Sequence, residues 1–173
     1  MTEEQRKLCR DLIVNPDGQN GITKEDFLHR FPPAIEHGRL ALKWLEESYQ
    51  TRNAEDLLCA LIVGFNFGFG SEHLNVLSKL VAVDWHYSHE DVVDALDELR
   101  SPDTVEALFR ATQWIPKSLG YDDSRALAVK AIWALGKISG SEAETRLEAL
   151  ARSEDPILRK TANEQLELRR EAS

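Results

Sequence analysis

The sequence has no apolar run approaching the roughly 18 residues that a membrane-spanning helix needs. Its 173 residues include only two cysteines, and neither belongs to a CxxC motif or a Cys/His cluster. Nine Gly and six Pro are few for a chain of short strands and many turns. These shortages disfavour a membrane protein, a disulfide-rich or zinc-stabilised domain and an all-β fold, and they favour helices.

Positive charge is also scarce, since 21 Lys and Arg stand against 30 Asp and Glu and leave a net charge of -9. A surface of this sign repels phosphates, which disfavours nucleic acid and favours a basic protein partner. The first residues, MTEEQRK, are polar and acidic and lack the apolar core of a secretion signal. We therefore expect a cytoplasmic protein in which Cys9 and Cys59 are reduced and buried as small apolar side chains.

Apolar residues recur with a helical period along the chain, and no stretch shows the alternation of a strand. This pattern predicts an all-α fold. The predicted helices cover residues 2–14, 23–30, 33–50, 53–67, 71–83, 88–99, 102–114, 123–138, 141–152 and 156–170.

Residues typical of helix ends mark several predicted boundaries. A capping box joins a Ser or Thr to an acidic residue three positions later, a proline is favoured at the first helical position, and glycine favours helix stops. The chain has capping-box spacing at Ser88 with Asp91 and Ser141 with Glu144, a cap residue before proline at Ser101-Pro102 and Asp155-Pro156, and glycine in the links at Gly70, Gly120 and Gly140.

The second half of the chain repeats. Ala95, Ala131 and Ala162 lie 36 and 31 residues apart, and a leucine follows each of them four positions later. Residues at i and i+4 share one helix face, so each pair offers a small side chain where a neighbouring helix comes close. After the first two, a short polar link leads to a second amphipathic helix, which indicates repeated helix pairs.

Residues 88–170 resemble the HEAT-like repeats found in phycobilisome-lyase-like proteins. The resemblance lies in Leu158-Arg159-Lys160-Thr161-Ala162 with Leu166, and in Leu127 with Ala131 and Ala134-Leu135-Gly136. The earlier copy departs from the family pattern by placing Ala128 in the arginine position. The resemblance implies an α-solenoid of antiparallel helix pairs over residues 51–173, closed by an N-terminal helical capping subdomain over residues 1–50, in one compact unit overall.

Residues 15–26 are similar to the calcium-binding loop of an EF-hand, with oxygen-bearing side chains at positions 1, 3 and 5 and Asp26 at position 12. Asn20 stands where the sharp turn needs glycine, and an aspartate at position 12 is short for bidentate binding. We favour a plain turn in which Thr23 and Asp26 form a capping box.

His86, His89 and Glu90, with Asp84 nearby, raise the alternative of a metal site. HEAT-like di-iron hydroxylases use His-Glu pairs that converge from several repeats, but only His89-Glu90 has that order here. We expect these side chains to be exposed at a helix start, and we expect no cofactor. A lyase or metal-dependent hydroxylase using this cluster stays as the alternative function.

Aromatic residues outside the links are expected to pack. Trp44, Phe109 and Trp133 are interpreted as core or inter-repeat side chains. The three phenylalanines of the segment GFNFGFG, residues 64–70, are expected to pack the end of a helix, since the segment lacks the basic residue and strand that phosphate binding needs.

Acidic charge is concentrated between residues 71 and 123, where 11 acids and 4 bases give net -7, against net -2 elsewhere. Two links in this region, 84–87 and 114–123, each contain Trp, Tyr and Asp, and equivalent links of a solenoid align along one edge. Aromatic side chains anchor a partner and carboxylates orient a basic one. The predicted partner-binding residues are Asp84, Trp85, His86, Tyr87, Glu90, Asp91, Asp94, Trp114, Tyr121, Asp122 and Asp123.

Small acidic solenoids of this composition resemble bacterial immunity proteins, which neutralise a cognate toxin. A nuclease toxin is basic because its substrate is acidic, so an acidic surface attracts it. The sequence therefore predicts a non-catalytic protein-binding module and not an enzyme. A HEAT-like DNA-repair glycosylase is disfavoured because it needs a basic concave face.

Overall fold

The protein is described by a computed structural model covering residues 1–13, 21–31 and 37–171. All regular secondary structure in these ranges is helical, which confirms the all-α prediction. The α-helices are α1 (Glu3–Asp11), α2 (Lys24–Arg30), α3 (His37–Thr51), α4 (Ala54–Phe67), α5 (Leu74–Leu80), α6 (His89–Leu99), α7 (Val105–Thr112), α8 (Ala126–Lys137), α9 (Ser141–Leu150) and α10 (Pro156–Glu171). Short 3-10 turns stand at Ser71–His73, Pro102–Thr104 and Lys117–Leu119. None of the described helices is long and apolar enough to cross a bilayer.

The chain forms two compact units, residues 1–76 and 77–173. In the first, α3 and α4 make a helix hairpin, and α1 packs on α4. The hairpin turns at Arg52, which adopts a left-handed conformation with φ 51°. Asn53 then caps α4 by accepting the Asp56 N–H at 3.0 Å. The predicted division between residues 50 and 51 stays a prediction.

An aromatic cluster fills the core of the first unit. The Phe27 ring is fully buried, with its centroid 4.5 Å from Phe31 and 5.6 Å from Phe67. Phe31 in turn meets the edge of Trp44 at 5.3 Å. Trp44 is buried, which confirms its predicted core role. Phe65, from the predicted helix-end cluster, is 38% exposed and packs edge-on against Phe69.

The turn before α2 has the predicted capping box. The Thr23 hydroxyl accepts the Asp26 N–H at 3.0 Å, and the Asp26 carboxylate accepts from Thr23 in return. This satisfies amide groups that an isolated helix start leaves unpaired. Residues 15–20 of the EF-hand-like segment lie outside the described residues.

In the second unit, α8 lies at the centre and packs against α6, α7, α9 and α10. Its inward side chains Leu127, Ala131 and Leu135 are almost fully buried, and burial of each leucine stabilises the fold by roughly 2 kcal/mol. Ala95 and Ala162, the counterparts of Ala131, are also fully buried. The predicted small-residue positions therefore lie at helix–helix contacts.

Ion pairs show how the helices of this unit run. Residues on α8 pair with residues on α6 that precede them by 36 and 40 positions, and α9 pairs with α7 across 40 positions. Because position on one helix rises with position on the other, α6 and α8 run side by side in the same direction. The pairs are Lys130 with Asp94, Lys137 with Asp97, and Arg146 with Glu106.

Two predicted caps are confirmed and two are wrong. The Ser101 hydroxyl accepts the Asp103 N–H and the Asp155 carboxylate accepts the Ile157 N–H, so each cap bonds to the residue after its proline. Ser88 makes no capping bond, because its ψ of 34° is far from the extended backbone that an N-cap needs. Ser141 is already the first helical residue, since Gly140, at φ 108°, takes the cap position.

Two aromatic side chains of the second unit were predicted to pack in the core or between repeats. The core assignment of Trp133 is wrong, because this side chain, halfway along α8, is 50% exposed. Phe109 is partly buried and packs beneath the Arg146 guanidinium, which lies 4.7 Å from the ring centroid. Cation–π contacts of this kind hold neighbouring helices together at the surface.

Candidate partner-binding surface

Two links of the second unit lie against each other. We call residues 81–88, before α6, and residues 113–125, before α8, together the loop surface. The Lys117 ammonium lies 2.9 Å from the Asp84 carboxylate, and the Trp114 ring meets His89, the first residue of α6, edge-on at 5.5 Å. The structure thus places the two predicted clusters side by side.

Two histidines form the inner layer of this surface. The His86 ring accepts the Ser88 N–H at Nδ1, at 3.2 Å, and therefore donates from Nε2 to the Leu80 carbonyl at 3.0 Å. His89 donates from Nε2 to the Val83 carbonyl at 2.7 Å. The two rings stack with their centroids 4.1 Å apart. Both side chains thus fasten the backbone of residues 80–88 to the start of α6.

The expectation that these histidines are exposed is wrong, because His86 is 3% and His89 0% exposed. Burial, together with the neighbouring His89 ring, lowers the pKa of His86 to about 4. Burial also lowers the pKa of His89, against the opposing effect of its bond to Val83. Both rings are neutral at pH 7 and act as packed hydrogen-bonding groups.

The alternative metal site lacks a ligand set in the described part of the chain. No group of three or more His, Cys, Asp or Glu there is arranged to hold a metal ion. His86 and His89 use ring nitrogens for backbone bonds, and the Glu90 carboxylate lies 3.4 Å from the Lys130 ammonium. His86 and His89 therefore stack on each other while Glu90 turns to Lys130, and the three side chains do not converge on one point.

Two tryptophans extend the inner layer on either side. Trp85 meets His86 edge-on at 4.9 Å, and Trp114 meets His89 in the same manner. The four rings form one continuous row. The Trp114 Nε1 atom is buried and has no hydrogen-bond partner among the described residues. Both tryptophans are only partly exposed, so the row supports the two links from beneath.

The outer layer consists of side chains that point to solvent. Tyr87 is 54%, Ile115 48% and Tyr121 82% exposed. Asp123 is also exposed, and the Asp84 side chain is 53% exposed beside Lys117. Large apolar side chains at such exposure, set among carboxylates, are typical of a protein-binding surface.

Asp122 has a structural role. Its carboxylate accepts from the Ser124 hydroxyl and N–H and from the Ala126 N–H, the last at 2.6 Å. The same bonds lower the pKa of Asp122. Asp122 was predicted to bind a partner, and its carboxylate is occupied by these bonds at the start of α8. Asp123 beside it is exposed.

The predicted carboxylates of α6 face α8. Lys130 lies 2.7 Å from Asp94 and 3.4 Å from Glu90. Burial alone would lower the pKa of Lys130, but these two carboxylates raise it. Asp91 is partly buried, and burial raises its pKa. Much of the acidic charge on α6 is therefore balanced by its neighbour helix.

The lysines that pair with these acids were missed in the sequence, although a signal was present. Lys130 follows Asp94 by 36 positions, which is the spacing between Ala95 and Ala131. Superimposing the repeats places this lysine beside that carboxylate. Lys117 had no such signal, because it belongs to an irregular link.

No protein-family model, curated protein or solved structure matches this chain. The resemblance to HEAT-like repeats therefore stays a prediction that depends on its residues.

Proposed function

We propose that this chain is a non-catalytic protein-binding module whose loop surface binds a basic protein. The observation that carries this proposal is the outer layer: Tyr87, Ile115 and Tyr121 are exposed on two links that the inner row of rings brings side by side. Exposed large side chains gathered on two adjoining links are typical of a surface that a protein partner covers. Tyr in particular offers a large rigid contact area with a polar end, which suits an interface.

The proposed architecture behind this surface is a solenoid of HEAT-like helix pairs. Its support is the regular offset of the ion pairs, 36 and 40 positions between α6 and α8 and 40 between α7 and α9. A stack of similar pairs places equivalent residues of successive repeats next to each other. The links that precede α6 and α8 then lie along one edge and give one continuous surface.

The negative charge of this region favours a basic protein as the partner. Residues 71–123 have net -7, part of which Lys130 and Lys137 on α8 balance, and the acids counted include Asp84 and Asp123 on the same two links as the exposed tyrosines. Such a field raises the association rate of a basic protein by roughly tenfold or more at low salt. The tyrosine rings also bind Lys and Arg side chains through cation–π contacts.

The partner class that best fits these features is a nuclease-type bacterial toxin domain, which makes the chain its immunity protein. A nuclease surface is basic because it binds phosphates. An acidic surface with aromatic anchors competes directly for that site. The same charge that disfavours nucleic acid as the ligand thus favours a nucleic-acid enzyme as the partner.

The test is protection of cells against a basic nuclease domain encoded beside this chain. Growth is measured when the toxin is expressed with the wild type, with a Tyr121→Ala/Asp123→Lys double variant, or with Trp133→Ala. We expect the double variant to lose protection and to bind the toxin at least tenfold more weakly in calorimetry. Trp133→Ala is the matched control, since it also removes a half-exposed aromatic side chain but lies outside the loop surface.

Two results would contradict the proposal. One is a wild type that neither binds nor protects against the basic toxin. The other is a double variant that binds as tightly as the wild type, with unchanged helicity by circular dichroism. Binding that does not weaken between 50 mM and 500 mM salt would exclude the electrostatic part.

A further inference from the structure

The two cysteines of the chain lie opposite each other in the first unit. Helix α1 packs on α4, and Arg6 donates from Nε to Asp56 at 2.7 Å across 50 positions. Cys9 and Cys59 have the same separation in sequence, three positions further along each helix. The Cys59 thiol also donates to the Arg6 carbonyl at 3.8 Å, which places its sulfur against α1 three residues before Cys9.

The thiols are free and buried, at 0% exposure for Cys9 and 1% for Cys59. Interaction between the two buried thiols raises the pKa of Cys9 and lowers the pKa of Cys59. The Arg10 guanidinium acts in the same direction on Cys59. Cys59 is therefore the better nucleophile of the pair.

We propose that Cys9 and Cys59 are a disulfide-forming pair that ties α1 to α4 when the protein meets a low-molecular-weight disulfide such as oxidised glutathione. The Cys59 thiolate attacks one glutathione sulfur, forms a mixed disulfide and releases one glutathione thiolate. Cys9 then loses its proton, attacks the Cys59 sulfur and releases the second. Two protons and two electrons pass from the protein thiols to glutathione, and one protein disulfide forms.

Burial makes the reaction depend on opening of α1. This helix has nine residues, and helices this short are marginal without tertiary contacts. Near the two cysteines, α1 is attached to α4 by side-chain contacts such as the ion pair of Arg6 with Asp56. Local opening of such an element costs less than global unfolding, so an oxidant reaches the thiols while α4 stays folded. The disulfide then closes a long loop and prevents further opening.

The experiment uses the full chain, incubated at pH 8 with 5 mM oxidised glutathione and then denatured and treated with N-ethylmaleimide. We expect the intact mass to fall by two hydrogens, with no maleimide and no glutathione attached. The melting temperature should rise by about 5 °C and return to its former value after reduction. Cys9→Ser and Cys59→Ser are the matched controls, and neither should gain stability under oxidation.

Any of three results would overturn the inference. Two maleimides on the wild type after incubation to within 5 °C of its melting temperature would show that the thiols do not react. A stable glutathione adduct would show that the second step is blocked by geometry. A disulfide-linked dimer would show pairing between chains. The mass measurement on the wild type decides the question even if a serine variant fails to fold.

Discussion

His86 and Tyr87 are neighbours in sequence and opposites in environment, since His86 is 3% and Tyr87 54% exposed. The same contrast separates Trp114 from Tyr121 in the second link. The inner layer of the loop surface is fixed by ring stacking and by bonds to backbone carbonyls. The outer layer depends on the backbone that the inner layer positions, apart from the exposed ion pair of Asp84 with Lys117. Substitutions in the two layers should therefore affect different quantities, stability in one and binding in the other.

The largest effect is expected from Trp114→Ala. This change removes the ring at the end of the inner row and leaves a cavity beside His89. Replacing a packed tryptophan by alanine costs about 3 kcal/mol of unfolding free energy. Urea unfolding followed by circular dichroism measures this loss. A change below about 1 kcal/mol would mean that the row does not support the links.

The buried His86 should make stability depend on pH. The pKa of His86 is about 4 in the folded protein and about 6.5 when unfolded, so the unfolded state binds more protons between these values. Stability from this group is complete above pH 6.5 and is lost as pH falls toward 4. Between pH 7 and 4.5 the wild type should lose roughly 2 kcal/mol more than His86→Gln. Equal losses would show that His86 titrates normally.

Two lysines that pair with predicted site carboxylates, Lys130 on α8 and Lys117 in the second link, should differ in their contribution to stability. Lys130→Met removes the partner of Asp94 and Glu90 on a side chain that is 33% exposed, and we expect a loss of about 1 kcal/mol. Lys117→Met removes an exposed pair with Asp84, and we expect no measurable change in stability. Thermal melts at low and high salt compare the two. A larger loss of stability for Lys117→Met than for Lys130→Met would show that the exposed Asp84 pair supports the fold, contrary to the outer-layer assignment of Asp84.

The smallest effect on folding is expected from Tyr121→Ala. Its side chain is 82% exposed and makes no hydrogen bond among the described residues. Unfolding free energy should stay within about 0.5 kcal/mol of the wild type. A loss comparable to that of Trp114→Ala would place Tyr121 in the inner layer and remove the main anchor from the proposed interface.

Helices were predictable from the sequence because a buried stripe has to repeat with the helical period. The small residues at 95, 131 and 162 were recognisable for the same reason, and all three are buried. Caps were predictable where a proline fixed the first turn, as at Pro102 and Pro156. They failed where backbone geometry decided the start, as at Gly140.

The sequence predicted where the candidate site lies, but it did not predict which of its side chains are buried and which are exposed. Trp, Tyr and Asp in two links indicated a shared surface, but nothing in the sequence showed which side chain of each neighbouring pair turns inward. His86 is buried where it donates to the Leu80 carbonyl, and His89 where it donates to the Val83 carbonyl, and these groups come together only in the folded chain. The core assignment of Trp133 failed because half of this side chain is exposed on α8, which the apolar pattern alone does not show.

The division between the layers also has a consequence for evolution. Tyr87, Ile115, Tyr121 and Asp123 are all exposed, so under the proposed function the partner constrains their identities more than folding does. A partner that changes its surface can be followed by substitutions at these four positions without loss of the scaffold. Related chains with different partners should therefore diverge here first, while His86, His89 and Trp114 stay the same.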